Sequence, residues 1–244
     1  MMRTLFVICL LLVPWSLFSQ NNDFEKNALN GIWYGKPIDI WEAMLAGEEG
    51  MTHERAAAIS QKMTLFWREL TNLQKSPLSE ERKIRKVYQL ITKKFFRQYE
   101  EFSTLADLLE QGKYDCLSAT MLYAFVFDSL KYDYQVYELP HHVYLIVRLS
   151  SGEEWLIEPT EPFKGFYTHS PTIAKLKNNY LRNQPIGFVQ LIGLQYYNRA
   201  VQYFNRKDYK TALRELMKAN KLYHCERHEE MIALTASYLQ HKAF

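Results

Sequence analysis

From Asp39 to about Leu73 apolar side chains recur at spacings of three and four: Ile40, Met44, Ala56, Ile59, Met63, Phe66 and Leu70. That period predicts helix, with Gly47 and Gly50 interrupting the run. Ser79 is the expected N-cap of a further helix, because Ser-Glu-Glu-Arg precedes a stretch carrying Ile84, Val87, Leu90, Ile91, Phe95 and Phe96. Leu105, Leu108 and Leu109 predict a short helix before Gly112, and residues 116–130 (CLSATMLYAFVFDSL) a mostly apolar one. Upstream, residues 21–38 hold Gly31, Gly35 and Pro37 and read as irregular.

The pattern then changes period. Tyr132 to Leu139 is an aromatic-rich strand. His142 to Leu149 (HVYLIVRL) alternates, with His142, Tyr144, Ile146 and Arg148 on one face and Val143, Leu145, Val147 and Leu149 on the other. Glu154 to Glu158 (EWLIE) is a third strand, closed by Pro159. A helix followed by antiparallel strands indicates an α+β layer. Residues 160–190 carry Pro162, Pro171 and Pro185 and read as a wrapping segment with one short helix around Ile173–Leu181. From about Leu191 the chain is helical again.

Composition supports a packed core. The chain has 244 residues, 48% apolar and 15% aromatic, which argues against disorder. Lys plus Arg is 30 and Asp plus Glu is 27, a net charge of +3, so there is no electrostatic reason to expect nucleic acid. No glycine-rich phosphate loop is present in the sequence, and no cofactor is expected.

The first residues read as an address. Arg3 supplies a positive start, Leu5 to Val13 (LFVICLLLV) an apolar run, and Ser19 a small residue for cleavage before Gln20. Residues 1–19 are therefore expected to be a signal peptide, and the protein to be exported, either periplasmic or secreted. The run is short for a bilayer span, so membrane contact is expected only where this segment stays uncleaved. No cysteine sits at the cleavage point to carry a lipid. Cleavage removes Cys9 and leaves Cys116 and Cys225. In an oxidising compartment these could pair, or one could be a functional thiol and the other a bystander.

The surroundings of Cys116 favour the second possibility. Asp115 is a natural N-cap, which places Cys116 in the first turn of its helix. There the helix's partial positive charge favours the thiolate, and an unpaired backbone N–H is free to face an oxyanion. A lone cysteine with these features would still read as buried packing. Cys116 is not alone. The stretch GKYDCLSATMLYAFVFDSLKYDYQVYELPHHVYLIVRLSSGEEWLIEPTEP resembles the core of transglutaminase-like proteins, whose nucleophile is a papain-type cysteine. In that family a Cys opens a helix, a His opens a strand, and an acid just before Pro-Thr ends the next strand. The matching positions are Cys116, His142 and Glu158-Pro159-Thr160. Tyr144 takes the place of the aromatic two residues after the His, and Trp155 that of the tryptophan three before the acid. The chain departs from the pattern at Glu158, where the family usually carries Asp.

For a triad, His142 and Glu158 must reach one face of adjacent strands. A two-residue turn at Ser151-Gly152 would set Glu158 opposite Leu145, on the wrong face. A three-residue loop, Ser150-Ser151-Gly152, pairs Leu149 with Glu153 and sets Glu158 opposite Tyr144, diagonal to His142. Such loops want a left-handed residue last, and Gly152 supplies it. His141, next to His142, points the other way and reads as loop or edge.

The resemblance implies a fold and a chemistry. The fold is α+β: a cysteine-bearing helix on an antiparallel sheet, a helical N-terminal region and a C-terminal helical hairpin. The chemistry is acyl transfer or hydrolysis on protein or peptide amide bonds, with Cys116 as nucleophile, His142 as base and Glu158 holding the imidazole. The alternative is a catalytically inactive member that binds peptides or proteins in the same cleft.

Residues 193–226 resemble one tetratricopeptide repeat through Tyr196, Ala200, Tyr203, Tyr209, Ala212, Leu216 and Ala219, with Asp208-Tyr209 at the turn. Arg199 stands where an apolar residue is usual, and His224 where Pro is common. The chain thus divides into a leader (1–19), a transglutaminase-like domain (20–190) and a tetratricopeptide-like unit (191–244), whose helices could also hold a protein partner. His224, Cys225 and His228 look like metal ligands, but no second cluster completes the set, and no metal is expected.

Overall fold

The computed structural model of the chain describes residues 16–179 and 184–241. The expected leader lies outside the described residues as far as residue 15. Among the described residues no helix is long and apolar enough to cross a membrane.

The fold is mixed α+β, an antiparallel five-stranded sheet among helices. Four helices come first: α1 (Ser16–Tyr34), α2 (Ile40–Leu45), α3 (His53–Lys75) and α4 (Glu80–Phe95). Residues 21–34 are therefore helical where irregular chain was expected. Phe24, Ala28 and Leu29 give α1 a buried face that outweighs one helix-interior glycine. A Cβ on Gly31 would stand 2.3 Å from the Ile38 side chain, so close packing explains that glycine. Gly35, at φ +64°, ends the helix in the left-handed region. The periodic run from Asp39 is split into α2 and α3. Thr52 caps α3, its hydroxyl accepting from the Arg55 N–H at 3.2 Å.

The short parallel strands β1 (Gln98–Tyr99) and β2 (Lys113–Tyr114) flank α5 (Leu105–Gln111), and α6 (Cys116–Ser129) follows directly. Ten residues of α6 are buried, which is why its sequence is apolar on every side. Then come β3 (Asp133–Leu139), β4 (His142–Arg148), β5 (Glu154–Ile157), β6 (Phe166–Tyr167), α7 (Ser170–Asn179) and β7 (Gln184–Ile186). The strand order is β6-β5-β4-β3-β7. β6 and β7 carry too few residues to show alternation, and Pro185 in β7 is tolerated because that strand lies at an edge.

β4 is central and covered on both faces. Val143, Leu145, Val147 and Leu149 join the main core with α6. Tyr144 and Ile146 pack with Leu156 and with Ile173 of α7. The division of faces expected from alternation is the one present.

The chain closes with α8 (Phe188–Asn205), α9 (Tyr209–Leu222) and α10 (Glu226–His241). Ala200, Ala212 and Ala219 are fully buried, letting α8 and α9 approach closely. Asp208 caps α9 by accepting from the Thr211 N–H at 3.1 Å. Arg199 is half-buried, and every bond it makes is specific. It donates to Glu215 at 2.9 Å, to Glu25 of α1 at 3.2 Å and to the Gly47 carbonyl at 3.0 Å. Tyr196 donates to the Ala46 carbonyl at 3.0 Å. These bonds fasten the last helices to the N-terminal ones, and breaking a buried pair from one side is costly.

Candidate active site

The site forms where three local structures end together. The first is the start of α6. Asp115 caps it: its carboxylate accepts from the Ser118 N–H at 2.8 Å, while the Asp115 N–H donates to the Ser118 hydroxyl at 2.9 Å. This reciprocal cap sets Cys116 as the first residue of the helix. Its backbone N–H is one of the donors that a helix leaves unpaired at its start.

The second is the start of β4. Leu139 pairs with His142 across the turn Pro140-His141, so His142 is the first strand residue after a hairpin tip. His141 lies in that turn and is exposed. The third is the end of β5. Leu145 pairs with Ile157 and Arg148 with Glu154, and the Leu149 N–H donates to the Glu153 carbonyl at 2.9 Å. The loop is therefore Ser150-Ser151-Gly152, with Gly152 at φ +85°. That register carries Glu158, one residue past β5, to the His142 face.

The three side chains meet. His142 Nε2 lies 2.8 Å from Glu158 Oε2. Cys116 lines the same cleft as His142 and stands close enough to act on its imidazole. Burial pulls the imidazole toward neutrality. The neighbouring Cys116 and Glu158 side chains outweigh it and raise His142 to about 10. Burial likewise works against ionised Glu158, and His142 and Thr160 overcome it, leaving the carboxyl below the usual range.

Thr160 is the residue the motif names without explaining. Its hydroxyl donates to Glu158 Oε1 at 2.6 Å and its N–H to the same oxygen at 3.1 Å. One carboxylate oxygen is thus spent on the imidazole and the other on Thr160. The added methylene of Glu over Asp is absorbed within a bonded geometry.

Cys116 and His142 open on a cleft of about 420 Å³. Tyr99, Phe102 and Leu117 line one side, and Leu194, Tyr197 and Val201 of α8 the other. Arg227 of α10 reaches the same cleft. Nothing local in the sequence marks Arg227, because its partners lie in a hairpin far along the chain.

Cys225 is a free, half-buried thiol, as is Cys116, so the two are unpaired. His228 is fully buried, stacked on Tyr197 at 4.8 Å between ring centres. His224 is exposed, 3.6 Å from Glu229. Among the described residues no group of three or more His, Cys, Asp or Glu side chains could hold a metal ion. No family model, no curated protein and no solved structure matches the chain.

Proposed function

We propose that the chain is an exported, transglutaminase-like cysteine enzyme acting on amide bonds of proteins or peptides. The observation that carries this reading is a single imidazole, His142, bonded to a carboxylate and set in one cleft with a thiol at a helix N-terminus. Structural cysteines need no such partner, and the arrangement is the one by which a thiol becomes a nucleophile.

The Cys116 thiolate, its proton on His142, attacks the carbonyl carbon of a substrate amide and forms a C–S bond. The oxygen becomes an oxyanion, faced by the Cys116 N–H. The C–N bond then breaks, and the amine leaves with the proton from His142. A thioester remains on Cys116. Water or a second amine gives its proton to His142 and attacks the thioester, releasing acid or a new amide and restoring the thiol–imidazole pair. Glu158 stays ionised throughout and holds the ring in place. The cleft, about 420 Å³, has room for the part of a substrate that carries the amide.

The test is capture of the thioester. Full-length protein carrying Cys225→Ser is incubated with a casein or peptide mixture and a labelled primary amine, and products are read by mass spectrometry. Label joined to acyl groups, absent in Cys116→Ala, is the expected result. Deamidation or cleavage without label marks the hydrolytic form of the same reaction. Identical products from wild type and Cys116→Ala would remove the enzyme reading.

A further inference from the structure

The C-terminal helices are not remote from this site. Arg227, in the first turn of α10, donates through Nη1 to the Pro140 carbonyl at 3.1 Å and through Nη2 to Glu138 Oε1 at 2.7 Å. The other oxygen of Glu138 accepts from the Tyr223 hydroxyl, just past α9, at 2.6 Å. The guanidinium also lies over the Tyr197 ring, 4.8 Å from its centre. Arg227 therefore joins α8, α10 and the β3–β4 hairpin at one point.

That hairpin delivers His142. Glu138 is the second-last residue of β3, Pro140 begins the turn, and His142 is the first residue beyond it. Hairpin tips at the rim of a cleft are ordinarily the loosest part of a sheet. Here the tip is held by its own carbonyl and by a buried carboxylate, both bound to one guanidinium. Cys116 sits on α6, which the hairpin does not carry. The separation of thiol and imidazole thus depends on where the tip is fixed, and small misplacements of reacting groups cost much rate.

We propose that Arg227 is a positioning residue that sets His142 against Cys116, which makes the C-terminal helical unit part of the catalytic apparatus. The proposal rests on the acyl-transfer reading above. The titratable groups facing the thiol–imidazole pair are Glu158, Asp115, Tyr99, Glu101, His141 and the Glu138–Arg227 pair. The side chains that raise His142 are Cys116 and Glu158, while Arg227 is ion-paired with Glu138, so Arg227 acts on the ring through placement more than through its field. A partner that bound α10 would act on the nucleophile through this one side chain.

The experiment measures iodoacetamide alkylation of Cys116 by intact mass across pH, in full-length protein carrying Cys225→Ser. Arg227→Ala is expected to slow alkylation at about pH 6 by about tenfold. Glu138→Gln, which keeps the arginine charge and removes the ion pair, moves the profile in the same direction by less. Arg227→Lys restores part of the rate. Thermal melts by circular dichroism identify any variant that fails to fold, and then Glu138→Gln and Arg227→Lys carry the test. Variant profiles that superimpose on an activated wild type would sink this proposal alone. A loss in Arg227→Ala with none in Glu138→Gln would assign the effect to charge and overturn positioning. An unactivated wild-type thiol would end the acyl-transfer reading and this proposal with it.

Discussion

Glu158 accepts from His142 through one carboxylate oxygen and from Thr160 through the other, at 2.8 Å and 2.6 Å. Neither oxygen is left to swing, so the imidazole is held in one orientation. Nε2 is the ring nitrogen on the carboxylate.

The first prediction concerns that chain of bonds. A thiol paired with an imidazolium stays reactive at mildly acidic pH, where a solitary one, near 8.5, is almost wholly protonated. His142→Ala should return the alkylation profile of Cys116 to that of a solitary thiol. Glu158→Gln should do so only in part, because the carboxylate steadies the imidazolium without touching sulfur. A wild-type profile identical to that of His142→Ala means the site is inert.

The second concerns Thr160. Thr160→Val keeps the shape and the N–H bond but removes the 2.6 Å hydroxyl bond to Glu158. A hydrogen bond to a charged group contributes about 1.5–3 kcal/mol, and half of that lost to reorientation still lowers turnover by roughly three- to tenfold. Thr160→Ser should recover most of it. Equal kinetics for Val and wild type would show that the hydroxyl does not hold the carboxylate.

Much of this site was legible because local rules happen to carry it. Asp115 before Cys116 announces a capped helix start, and Gly152 can take the φ that a three-residue loop demands. From those two positions the register and the shared face of His142 and Glu158 follow. The illegible parts rest on contacts between distant segments. α1 is a helix because Phe24 and Leu29 find a core built by later residues. Gly31 lies inside that helix because it packs closely on Ile38, a contact that no local pattern encodes. β6 and β7 exist only as partners of longer strands. Arg227 acquires its role by meeting Glu138 and Pro140, which no periodicity encodes.

The third prediction concerns Asp115. Burial pushes its carboxyl up to about 6 despite the bonds from Ser118. A folded value above the unfolded one, ordinarily near 3.9, means that stability is fully present at lower pH. It is lost as pH rises through about 6. At neutral pH the buried charge costs roughly 3 kcal/mol by that difference. Asp115→Asn keeps a cap acceptor for Ser118 without the charge. Its melting temperature should exceed that of wild type near pH 7.5 and converge with it near pH 4. A variant less stable at both values would show that the carboxylate is needed as an anion.

The last prediction concerns His228, the neighbour of Arg227. Burial, and then the adjacent Arg227 charge, lower its value to about 4. The unfolded chain takes up this proton near 6.5, and the folded chain does so only near 4. The associated stability is therefore present above about 6.5 and is lost as pH falls between the two values, by roughly 3 kcal/mol in all. His228→Phe keeps a ring to stack on Tyr197 and cannot be protonated. Urea midpoints measured from about pH 7 to pH 4 should fall more steeply for wild type than for His228→Phe. Parallel slopes would mean that His228 titrates like an exposed histidine. The consequence extends to the site, since protonating His228 loosens the first turn of α10, the turn from which Arg227 holds the Pro140 carbonyl. Alkylation of Cys116 should then decline toward acid sooner in wild type than in His228→Phe, at pH values where both remain folded.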